Sequence, residues 1–136
     1  MAEGPSRKPL AEKLGIKTGF VVVTIRPPKD YARLLGRLPE GVAIRERLGG
    51  PVNLIHVFVR TRADLEGSFP RWKEAILRDG SLWVSWPKRS AGEVTDLTED
   101  VVRAVALEHG LVDVKVCSVD ETWSGLKLVY RRTDRA

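Results

Sequence analysis

The sequence predicts an α/β domain: a mostly parallel sheet of about six strands, helices on both faces, and a C-terminal antiparallel hairpin at one edge. Three observations carry this. Short apolar runs, Gly19–Ile25, Val52–Val59 and Ser81–Ser85, read as strands buried on both faces, which is the mark of a parallel sheet. Segments with helical spacing separate those runs. Two final strands, around Val112–Val116 and Trp123–Arg131, alternate in character and are joined by a short link, Val119–Thr122.

The elements follow in order. Pro9–Leu14 forms one short helix with Leu10 and Leu14 on the same face, stopped by Gly15. Gly19–Ile25 is a central strand. Tyr31, Leu34, Leu35 and Leu38 keep helical spacing, ended by Gly36 or by Leu38-Pro39-Glu40-Gly41. Val42–Arg45 is a short strand and Val52–Val59 a long apolar one. Thr61 caps the next helix, whose stripe is Leu65, Phe69, Trp72 and Ile76; Pro70 bends or restarts it, and Asp79-Gly80 closes it. In the next strand, Leu82 and Val84 share one face while Trp83 and Ser85 share the other, and pairing ends at Pro87, which has no N–H. The loop Trp86–Thr95 leads to Asp96-x-x-Glu99, which resembles a capping box. That helix runs to His109, with Gly110 beyond its end. Val112, Val114 and Val116 alternate with Asp113 and Lys115, so this strand is half exposed and sits at an edge. Residues 9–132 are thus one domain between polar tails, 1–8 and 133–136.

Composition narrows the function. At 136 residues and 43% hydrophobic, the chain is large enough for one core. Its 23 basic against 18 acidic residues leave +5, a moderate excess that permits weak attraction to nucleic acid. The basic residues do not gather on one predicted helix, so nucleic-acid binding is not the expected role. A single cysteine, Cys117, excludes an internal disulfide and a cysteine-based metal cluster. No apolar run is long enough to cross a membrane, and Met1–Lys13 lacks an apolar signal region. The expected location is the cytoplasm.

Two resemblances follow from particular strings. VNLIHVFV, then a helix ending ILRDGSLWVSWPK, a further helix and GLVDVKVCSVDETWSGLKLVYRR look like the latter half of class I, Rossmann-like methyltransferases. The strings PLAEKLGIKTG, LWVSWPK, TDLTEDVVR and GLVDVKVCSVDETWSGLK resemble a bacterial domain family of unknown function, over nearly the whole chain. The methyltransferase resemblance implies a Rossmann-like sheet, here in reduced form, because a helix and a strand are missing between Val42–Arg45 and Val52–Val59. It also implies a glycine-rich cofactor loop after the first strand. Here that stretch is Thr24-Ile25-Arg26-Pro27-Pro28-Lys29. Two prolines remove two N–H donors, and no glycine allows close backbone approach. The acid that would hold a ribose can only be Glu46. The chain is therefore expected not to take S-adenosylmethionine, and no other cofactor is expected.

In open α/β sheets, ligands sit at the carboxyl ends of the strands. The sequence places Arg26, Arg60, Trp86, Lys88, Arg89 and Asp120 there, with Lys29, Arg62 and Glu121 nearby. Arginine and lysine suit a small anionic ligand through charge-assisted hydrogen bonds. Trp86 is expected partly exposed on the crevice rim beside Arg26 or Arg60, and Trp83 buried. Asp96 and Glu99 read as helix-capping residues, His56 as a core histidine, and Cys117 as a semi-buried thiol. No catalytic residue and no metal ligand set emerges. The expected function is a non-catalytic or ligand-sensing domain with an anion-favouring crevice. The alternatives are a divergent methyltransferase-like transferase, which would need Lys88 and Asp120 in one cavity, and a weak nucleic-acid-associated protein.

Overall fold

The computed structural model describes residues 8–135, so the expected N-terminal tail lies, but for Lys8, outside the described residues. The elements are α1 (Leu10–Leu14), β1 (Val21–Ile25), α2 (Tyr31–Leu35), β2 (Ala43–Arg45), β3 (Val52–Phe58), α3 (Arg62–Ala75), β4 (Ile76–Pro87), α4 (Glu99–Glu108), β5 (Leu111–Ser118) and β6 (Trp123–Tyr130). They form one six-stranded sheet in the order β2-β1-β3-β4-β6-β5. The first four strands are parallel neighbours, and β6 runs antiparallel between β4 and β5. The expected fold class is correct.

Strand alternation divides the core in two. Val23, Ile55, Val57, Leu82, Val84, Leu126 and Leu128 meet Leu65, Phe69 and Trp72 of α3 and Val102, Val105 and Ala106 of α4. On the other face Val22, Leu54, Phe58 and Trp83 meet Leu10, Ala11 and Leu14 of α1 and Tyr31 and Leu35 of α2. The Trp83 indole N–H donates to the Leu14 carbonyl at 3.0 Å and so serves an orphan acceptor at the end of α1. Thr61 caps α3 as expected, its hydroxyl accepting from the Asp64 N–H. The helix passes through Pro70 without a break.

Four expectations need correction, three in the backbone and one at Trp86. The helix expected to reach Asp79-Gly80 ends at Ala75, and Ile76 already pairs with Val52. Ile76 keeps the helical spacing of the stripe but points into the same core from a strand. A bulge between Val52 and Leu54 takes up Leu77–Gly80, and a methyl at Gly80 would stand 2.7 Å from the Asn53 carbonyl oxygen. Asp96 does not cap its own helix. Its carboxylate accepts from the Arg62 N–H at 2.8 Å, at the start of α3, while Thr98 caps α4. Finally, pairing does not end before Pro87, which faces Trp123 on β6, and the ladder goes on to a Lys88 N–H···O bond with Thr122. Neighbouring residues aim their N–H groups at opposite sides, so the donor that Pro87 lacks would point toward β3, which has already ended.

That longer strand corrects Trp86. It is in phase with Leu82 and Val84, is only 5% exposed, and belongs to the α3–α4 core. It is not a rim residue. Trp83 is fully buried, as expected, on the opposite face. Strand β5 is an edge as expected, with Val114 and Val116 both more than half exposed.

Candidate functional site

The chain leaves β1 toward β2 on one side and returns as β3 on the other. The carboxyl ends of β1 and β3 are therefore the topological switch point, where connections diverge and a crevice opens. A cavity of about 200 Å³ lies there. Ile25 and Val59 line it from the strand ends. Asp64, Ser68, Arg71 and Trp72 line it from α3, and Arg26 from the turn after β1. The four α3 residues stand at i, i+4, i+7 and i+8, which is one helix face beside the core stripe.

Arg26 has a left-handed backbone, φ 57°, the sole non-glycine of that kind among the described residues. Such a conformation in an arginine marks a constrained turn. Its guanidinium meets the Asp64 carboxylate at 3.4 Å, with both side chains more than half exposed. Arg71 has no ion pair among the described residues. Two guanidiniums thus face one carboxylate, and the cavity keeps a net positive charge.

The other face of the same strand ends is closed. Tyr31, at the start of α2, places its hydroxyl 2.7 Å from His56 Nδ1, and His56 Nε2 lies 2.8 Å from the Ser85 hydroxyl. The Phe58 ring packs against His56 at 4.3 Å and against Trp123 at 5.0 Å between centroids. The Arg60 guanidinium covers Trp123 at 4.8 Å and also meets Glu93 at 2.6 Å. Burial holds His56 down to about 3 and pushes the Tyr31 phenol up. His56 is thus a neutral core histidine with both ring nitrogens engaged, as its sequence context implied.

The expected ligand residues divide into three places. Arg26 lines the switch-point cavity, and Arg60 lies over Trp123. Lys88 and Asp120 meet at the β5–β6 turn. The Lys88 ammonium donates to the Ser118 hydroxyl at 2.6 Å, which in turn donates to the Asp120 carbonyl. The Asp120 carboxylate accepts from the Thr122 and Trp123 N–H groups, each at 2.8 Å, so it builds the turn. Arg89 is exposed in a short 3-10 turn, Arg89–Ala91. Sequence reasoning missed Asp64, Ser68 and Arg71; their shared spacing on α3 was the signal that could have found them. Cys117 is semi-buried, and burial raises its thiol against the opposing pull of Lys13, Lys115 and Lys88. Among the described residues no group of three His, Cys, Asp or Glu side chains could hold a metal ion, and no helix is long and apolar enough to cross a membrane.

No family model and no curated protein matches this sequence. Solved structures do match in fold. A SAM-dependent methyltransferase from Aquifex aeolicus superposes with a TM-score of 0.62 at 12% identity, covering 88% of this chain and 86% of that one. The ribosomal protein L11 methylase from Lactobacillus delbrueckii subsp. bulgaricus gives 0.55 at 13% identity, covering 90% and 75%. Magnesium protoporphyrin IX methyltransferase from Synechocystis PCC 6803, with bound SAM, gives 0.58 at 8% identity, covering 90% and 76%. The chain has a methyltransferase-like fold; the resemblance to a bacterial domain family rests on its strings alone.

Proposed function

We propose that this chain is a non-catalytic, methyltransferase-like domain that binds a small anionic ligand in the cavity at the carboxyl ends of β1 and β3. The observation that carries the reading is the cavity itself, at the switch point, with Arg26 and Arg71 against Asp64 alone. Its roughly 200 Å³ is below the 300–1,000 Å³ of sites that enclose drug-sized ligands, so it suits a small group or one end of a larger molecule. S-adenosylmethionine fits these residues poorly. The turn after β1 is Arg26-Pro27-Pro28, which offers no glycine and two fewer N–H donors, and Glu46 stands exposed after β2 between two arginines. Arg60, Lys88, Arg89 and Asp120 remain outside this cavity in the proposal.

The likeness of fold favours a second reading, a divergent transferase that holds S-adenosylmethionine in another way. Calorimetry and thermal shift separate the two. We expect no binding of S-adenosylmethionine at micromolar concentration, and stabilisation by small carboxylates or phosphate that Arg71→Gln abolishes. Micromolar S-adenosylmethionine binding with measurable methyl transfer would establish the second reading instead.

A further inference from the structure

Resting on the anion site proposed above, we infer that its ligand is an amphiphilic monocarboxylate: a medium-chain alkyl acid whose carboxylate meets Arg71 and whose chain lies in a second cavity further along α3. That second cavity is about 430 Å³, within the 300–1,000 Å³ of sites that enclose small molecules. Arg71 lines both cavities. Ser68 and Arg71 face the first, and Arg71 and Ala75 face the second. The three stand at i, i+3 and i+7, on one side of the helix. Ser68 and Ala75 are about 10 Å apart along the helix axis, with the arginine between them. A molecule laid along this side of α3 therefore passes Arg71.

The two cavities differ in chemistry. The first holds donors that lack acceptors. Asp64 meets Arg26, whereas Arg71 has no ion pair and the Ser68 hydroxyl no hydrogen bond among the described residues. A carboxylate accepts from both, and its bond with a guanidinium is charge-assisted.

The second cavity is lined mainly by apolar groups. Leu48, Pro51 and Ala75 line it, and Gly49 and Gly50 contribute backbone alone. No hydroxyl or amide side chain is among its lining residues. Leu48 and Ala75 are partly buried and pack against the core that α3 and α4 share. An alkyl chain placed there extends an apolar surface that the protein leaves half covered. A methyl added at Gly49 or Gly50 would meet no atom within 4 Å, so the cavity is open on the side of this loop.

Charge fixes the direction in which such a molecule lies. Besides Arg71, the only charged residue lining the second cavity is Glu74. Glu74 and Ala75 belong to the last turn of α3, where unpaired carbonyls carry a negative partial charge. A second anionic group is disfavoured at that end. The ligand thus carries its charge at the Arg71 end only, and the part beyond is neutral and apolar. A dicarboxylate or a nucleotide does not meet this requirement, and an alkyl monocarboxylate does.

Calorimetric titration of the full chain with acetate, butanoate and octanoate tests this. Affinity should rise with chain length, about two- to fourfold for each methylene that leaves water, and at least about tenfold from butanoate to octanoate. Octanoate should also bind with the more negative heat-capacity change, the mark of apolar burial. Octanol, which keeps the chain and lacks the charge, should bind at least about tenfold more weakly than octanoate. Leu48→Ser with Ala75→Ser should weaken octanoate at least about fivefold and butanoate less than about twofold. Retained butanoate binding shows that the variant is folded, and the chain-length series on the unsubstituted protein stands without it. Equal affinities for butanoate and octanoate would overturn the alkyl chain and leave the anion site standing. No binding of any carboxylate would overturn both. Octanol binding as tightly as octanoate would overturn the charged head group. An acetylated trileucine with a free carboxylate, binding more tightly than octanoate, would assign the groove to a protein C-terminus instead.

Discussion

Replacing His56 by glutamine should flatten the acid side of the stability profile. His56 is fully buried between the Tyr31 and Ser85 hydroxyls, and its pKa is lowered to about 3. In the unfolded chain it titrates near 6.5. Below about pH 6.5 the unfolded state therefore binds a proton that the folded state refuses until about pH 3. More protons on the unfolded side mean that stability falls as pH falls, by about 1.36 kcal/mol per unit across that window. From pH 7.5 to pH 4.5 the histidine alone accounts for a loss of about 2.7 kcal/mol. Glutamine can still exchange hydrogen bonds with both hydroxyls, and it does not titrate. Urea unfolding of both proteins at several pH values measures the difference, and the carboxylates common to both cancel. Parallel pH profiles for the two proteins would refute a neutral, buried His56.

Other perturbations follow from the same packing. Trp86→Ala and Trp83→Ala should each lower stability by about 3–5 kcal/mol in denaturant melts, because both side chains leave cavities in closed cores; a Trp86 variant within about 1 kcal/mol of the parent would restore its rim position. Tyr31→Phe should lower stability by about 1–3 kcal/mol, since His56 Nδ1 then lies buried without a partner; equal melting temperatures would show that the site admits water. Gly80→Ala should lower the melting temperature, because its methyl meets the Asn53 carbonyl oxygen at 2.7 Å and backbone must shift. An unchanged melting temperature would mean that the bulge moves freely.

The sheet was legible because its strands carry their own periodicity. Val52–Phe58 and the doubly buried part of β4 need no partner to be read as parallel strands. The α3 boundary was not legible for a specific reason. Ile76 continues the spacing of Leu65, Phe69 and Trp72, and only the pairing with Val52 assigns it to β4. Trp86 failed for a related one. Local chemistry at Trp86-Pro87 says that a strand stops, but the antiparallel partner β6 arrives last in the chain and extends it. Arg26 was legible as a strand-end residue, whereas Arg71 was hidden because its helix carried a core stripe that explained itself.

The absent helix–strand unit between β2 and β3 connects these features. Without it, the β1 residues Val21 and Ile25 are only partly buried on the α3 side, and Leu48 of the β2–β3 connection supplies the remaining cover. Two cavities flank Arg71 as a result. One holds Ile25, Arg26 and Asp64; the other holds Leu48, Gly49, Gly50 and Pro51. On the opposite face the short α2 lets Tyr31 drop onto His56 and Phe58 and close the strand ends. The strand ends are therefore closed on the α2 face and open to a small cationic crevice beside α3. The anionic ligand proposed for this crevice has to be small enough to enter beside α3 and to take Arg71, the arginine that Asp64 leaves unpaired.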